Sequence, residues 1–135
     1  MSYTVTSLNA MPRIVSPHPE GDRTPVRAHL GIEAFGVNVY TGNEVGDPVI
    51  GCHDHAEDDD PQHEEVYVVL SGRAIFTLGD QDIDAPAGSF VYIPDLVLMR
   101  EARAAEPATS ILVVGAERGS AFRVSDWDTT PPATV

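Results

Sequence analysis

Eleven glycines and eleven prolines punctuate the 135 residues at short intervals, and the runs of Val, Ile, Phe and Tyr between them are too short for helices. The pattern is all-β. Strands are expected at residues 3–8, 35–41, 49–55, 64–70, 74–78, 81–85, 89–93, 97–102 and 110–115, with a last one near 121–124 and a helical turn around 29–34. So many short strands in a chain of one-domain length call for a sandwich or a barrel. An N-terminal arm and edge strand (1–34) leads into the barrel (35–115), and a C-terminal strand and mobile tail (116–135) completes the same domain.

Charge narrows the partners. Acidic residues outnumber basic ones 21 to 8, for a net charge of −13, and every basic residue is arginine. Such a surface repels phosphate backbones and anionic lipid, so neither nucleic acid nor a membrane is an expected partner. Cys52 is the only cysteine, which rules out an intrachain disulfide. The first fifteen residues lack a basic region followed by a long apolar run. A cytoplasmic protein is expected.

Two strands are apolar on both faces, residues 65–70 and the Ile-Leu-Val-Val of 110–115, whereas a one-sided sheet would alternate. A barrel interior accounts for one face only. A second copy of the chain is expected on the other, making a homodimer.

Chemistry concentrates in Cys52-His53-Asp54-His55, the acidic stretch 56–62, and His63-Glu64-Glu65. Strand alternation puts His53 with His55 on one face and His63 with Glu65 on one face of the next strand. If the two strands are antiparallel neighbours joined by the acidic turn, three imidazoles and a carboxylate converge on one spot. That donor set suits a divalent transition ion such as Fe, Ni, Mn or Zn. The same spacing also suits surface histidines beside an acidic loop.

The run from His53 to Gly72 resembles the first sequence motif of the cupins, His-x-His followed by a glutamate and, after six intervening residues, a glycine: His53, His55, Glu65 and Gly72. The segment Pro86-Ala87-Gly88-Ser89-Phe90-Val91-Tyr92-Ile93-Pro94 is similar to the second. Nine residues separate His55 from Glu65 where the family has three or four, six rather than five residues separate Gly46 from His53, and Met99 stands where the family places its last metal histidine. The resemblance covers residues 35–115 and implies a cupin double-stranded β-helix, or jelly-roll, barrel. It implies metal ligands at His53, His55 and Glu65, with the fourth lost, and His63 is a candidate for the missing nitrogen.

Tyr67, Val69, Phe76, Val91, Ile93 and Met99 are candidates to line a mainly apolar pocket for a small-molecule ligand, although ordinary core packing is the better account of most of them. Arg100 and Arg103 are candidates for binding a substrate carboxylate, or for pairing with Glu101 and Glu106. Cys52 adjoins His53 but faces away from it, which makes it a buried, inert thiol rather than half of a nucleophilic dyad. The carboxylates of 57–60 form a solvated loop and lack calcium-loop spacing. His18 and His29 are structural or exposed, and Trp127 pins the tail. Two functions stand open: a metal-dependent dioxygenase, isomerase or decarboxylase, and a metal-free binding or sensor module.

Overall fold

A computed structural model describes residues 2–15, 20–54 and 63–117. The His-Glu-Glu-Val-Tyr-Val-Val-Leu-Ser run forms an interior strand, paired on both edges. The elements are β1 (Asp22–Thr24), α1 (Val26–Leu30), β2 (Gly36–Gly42), β3 (Pro48–His53), β4 (His63–Ser71), β5 (Arg73–Leu78), β6 (Gln81–Pro86), β7 (Phe90–Ile93), β8 (Arg100–Ala104) and β9 (Thr109–Glu117). They build two antiparallel sheets, ordered β1-β2-β9-β4-β7 and β3-β8-β5-β6. No helix among the described residues is long and apolar enough to cross a membrane.

The inner faces interdigitate into one core. Tyr67 and Val69 of β4, Ile111 of β9 and Ile93 of β7 meet Val49 and Ile50 of β3 and Phe76 of β5. Tyr67 and Phe76 pack edge to face with ring centroids 5.7 Å apart. Alanines at 74, 85, 102 and 104 are buried in the same core, where small side chains suit a close-packed interior.

The outer faces of β2 and β9 are covered within the same chain. Val37, Val39, Leu112 and Val114 pack against Val26 of α1 and against Leu8, Met11 and Ile32. The doubly apolar strand β9 thus has an explanation that needs no second copy. The outer surface beyond it differs, with Leu70, Phe90 and Tyr92 exposed.

Three expectations are corrected. Residues 3–8 form no strand, and a 3-10 turn follows at Leu8–Ala10; the place beside β2 belongs to β1, a three-residue Asp-Arg-Thr strand with no apolar alternation to betray it. The helical turn begins earlier than expected, at Val26. Strand β8 starts at Arg100 rather than 97, because the Asp95 carboxylate accepts the Val97 N–H at 3.0 Å and holds a turn there. The expected strand at 121–124, the tail with Trp127, His18 and the acidic stretch 57–60 lie outside the described residues.

The β4–β5 corner is held by a buried hydroxyl. Thr109 Oγ1 donates to a backbone carbonyl, with those of Glu106 and Arg73 at 2.8 and 3.0 Å, and accepts from the Arg73 N–H at 3.2 Å. A second buried hydroxyl pair, Thr41 Oγ1 and Ser110 Oγ at 2.8 Å, joins β2 to β9. Thr41→Val should cost about 1–3 kcal/mol by stranding the Ser110 hydroxyl, measured as a shift in the urea midpoint at unchanged slope.

Candidate functional site

Strands β3 and β4 are not hydrogen-bonded neighbours, contrary to the hairpin expected from the sequence. They belong to different sheets, and the barrel interior is what brings them together. On β4 the odd-numbered set His63, Glu65, Tyr67 and Val69 faces inward, as alternation requires. On β3 the register shifts between Ile50 and His53 against β8, and this bulge turns both residues toward the interior.

The result is a contact between sheets. His53 Nε2 lies 3.7 Å from Glu65 Oε1, while its Nδ1 lies 2.7 Å from the Gly51 carbonyl oxygen, to which the Nδ1–H donates. The Tyr67 hydroxyl donates to the same Oε1 at 2.6 Å. On the other side stands Arg100, whose Nη1 reaches Oε1 at 3.3 Å. Its Nε and Nη2 donate to the carbonyls of Leu98 and Asp95 at 3.1 and 2.7 Å. Arg100 is 1% exposed and Glu65 11%, so a charged pair is held almost out of water.

Arg100 is the residue that sequence reasoning misplaced. Met99 falls at the family's histidine position and was expected in the pocket, yet it is 44% exposed. The turn at Asp95 shifts the parity of β8, so Arg100, Ala102 and Ala104 point inward instead. A signal was present in the sequence: Ala102 and Ala104 are small enough for a crowded interior, and Arg100 shares their parity. Arg103 faces out, bonding the Gly46 carbonyl at 3.2 Å.

A cavity of about 530 Å³ opens beside this cluster. His53, His63, Glu65 and Tyr67 line it together with Asn38 and Tyr40 from the inner face of β2, two polar groups the sequence did not single out. Ile50 and Val113 supply apolar wall. Of the residues expected to line a pocket, Tyr67 does so; Val69, Phe76 and Ile93 are buried in the core and Val91 packs against it. Cys52 is exposed at the cavity rather than buried, a consequence of the bulge in β3. His29 is exposed on α1.

The electrostatics follow from the burial. Tyr67 is pushed far above the ordinary phenol range, first by desolvation and then by the Glu65 charge. Tyr40 is raised by burial and by Glu20. Both therefore act as hydroxyl donors at neutral pH. His53 is raised above 6.5, chiefly by its hydrogen bond to Glu65 and against the opposing effect of burial. A raised histidine stabilises the fold fully below pH ~6.5 and loses that contribution as pH climbs through the folded-state value. In chelator-treated protein the His53 proton resonances should titrate above the ordinary histidine value. Glu65→Gln should bring that titration down, and an unchanged midpoint would count against the contact.

The donor chemistry suits a divalent transition ion. Imidazole and carboxylate face each other across the cavity, and an imidazole whose second nitrogen is tied to a carbonyl is the usual form of a metal-binding histidine. Among the described residues no group of three or more donors comes together; His63 lines the same cavity, and His55 lies outside the described residues.

No family model and no curated protein matches the sequence. Solved structures do match. A cupin protein from Bacteroides fragilis is similar at TM-score 0.69 and 20% identity, covering 98% of this chain and 99% of that one. A conserved protein with a double-stranded β-helix domain from Klebsiella pneumoniae is similar at 0.64 and 18%, covering 93% and 99%. A cupin-superfamily sugar phosphate isomerase from Silicibacter pomeroyi is similar at 0.65 and 15%, covering 84% and 76%. The two-sheet architecture and these likenesses agree that the chain has the cupin fold, a double-stranded β-helix.

Proposed function

We propose that the barrel is a small-molecule site with a divalent transition ion as its working centre, held by His53, His55, His63 and Glu65. The observation that carries this reading is the set of His53: its Nδ1–H is committed to the Gly51 carbonyl, which leaves Nε2 facing Glu65 across the cavity. When bound, such an ion supplies Lewis acidity toward a carbonyl or enol oxygen.

The protein groups would do the rest. Tyr40, Tyr67 and Asn38 offer hydrogen bonds to hydroxyl or carbonyl groups, while Ile50 and Val113 exclude water from one side. The ligand is thus a compact molecule with polar groups at one end rather than a wholly apolar one. The sugar phosphate isomerase with a similar fold is in keeping with isomerisation through an enol, although fold alone does not fix a reaction.

A second reading has its own observation. Arg100 already balances the Glu65 charge, which would let a metal-free barrel bind its ligand through Glu65, His53 and the two phenols. Metal analysis separates the two. Protein purified without chelator or affinity tag should carry about one ion per chain, and His53→Ala and Glu65→Ala should each lose roughly 10²-fold or more in affinity, at least the cost of a lost outer-shell partner. A parent that stays empty when offered iron, nickel, manganese or zinc would sink the metal reading.

A further inference from the structure

Glu65 Oε1 is an unusually crowded atom. It accepts from the Tyr67 hydroxyl at 2.6 Å and from Arg100 Nη1 at 3.3 Å, and it is also the oxygen that faces His53 Nε2 at 3.7 Å. A carboxylate oxygen has about two lone-pair directions, and two donors already use them. An ion bound through Oε1, the oxygen that faces His53 Nε2, therefore displaces one of the two.

Arg100 is the donor that electrostatics would expel. A divalent ion on Oε1 would sit within a few ångströms of a guanidinium that never loses its charge, whereas Tyr67 is neutral and simply redirects its hydroxyl. Arg100 also holds the longer of the two bonds, and its other two contacts are to backbone carbonyls that do not depend on Glu65.

We propose that Arg100 is a built-in competitor of the metal ion for the Glu65 carboxylate, so that the barrel has an arginine-paired state and an ion-loaded state and holds metal less tightly than its donor set alone would. This rests on the reading that the ion binds at His53 and Glu65. The arginine-paired state is the one described above. In it the carboxylate stays charged and oriented without an ion, and on loading the guanidinium gives up Oε1.

The test is a Co²⁺ titration, followed by its visible absorption in competition with a chelator, on the parent, Arg100→Met and Arg100→Lys. Arg100→Met should bind at least tenfold more tightly than the parent, and Arg100→Lys, which keeps the charge, should lie much closer to the parent. Equal or weaker binding by a folded Arg100→Met overturns the competition while leaving the metal reading intact. Binding by Arg100→Met alone supports the competition and removes the metal from the parent's function; no binding by any of the three removes both. Should Arg100→Met fail to fold, the parent still answers. Saturating Zn²⁺ should shift the side-chain N–H resonances of Arg100, and unchanged resonances at full occupancy would overturn the proposal.

Discussion

Arg100→Met should lower the stability of the ion-free protein by about 3–5 kcal/mol at neutral pH, the usual cost of removing one partner of a buried pair. The guanidinium is 1% exposed and its partner 11%, so water cannot take over the lost contact. For a domain of this size that loss corresponds to a fall in Tm of roughly 10–20 °C. The double variant Arg100→Met/Glu65→Gln should recover a good part of it, because it removes both charges and leaves Tyr67 a neutral acceptor. Four melts in chelator complete the cycle. Additive losses would mean that Arg100 stabilises the barrel through its bonds to Leu98 and Asp95 and not through Glu65.

Gly72→Ala should be comparably damaging for a different reason. Gly72 has φ +72°, in the left-handed region, where a side chain costs about 1–3 kcal/mol. An added Cβ would also meet the Thr109 side chain and stand 2.9 Å from its Cα. Thr109 is wholly buried and anchors the corner through both neighbours' backbones, so it cannot retreat. Strain and overpacking together come to about 3–5 kcal/mol. Gly88→Ala is the control: its φ is +92° but its Cβ would meet nothing within 4 Å. Equal losses at the two positions would show that the turn conformation alone matters and that the contact with Thr109 does not.

The fold was legible because strands β2 to β5, β7 and β9 announce themselves through β-branched and aromatic runs bounded by turn residues, and β6 through the turn residues on either side of it. Gly72, the last residue of the first motif, was legible as a glycine and becomes understandable only through Thr109, which lies 37 residues further on. Strand β1 was hidden because Asp-Arg-Thr gains its place from pairing with β2 and not from any pattern of its own. The site was half legible. Parity placed His63, Glu65 and Tyr67 on one inner face, since nothing interrupts β4 there. It failed on β8, where a single Asp95 hydrogen bond shifts which residue begins the strand and exchanges Met99 for Arg100. It also failed to foresee that β3 and β4 face each other from separate sheets, because local pattern carries no information about which ladder a strand joins.

That separation has a bearing on how such a chain can vary. Each half of the His53–Glu65 contact is positioned by its own ladder, β3 on β8 and β4 on β9. Residues can therefore be added to or removed from the joining segment without moving either group. The nine residues between His55 and Glu65, an irregularity when measured against a motif, are in this light a length that neither ladder fixes.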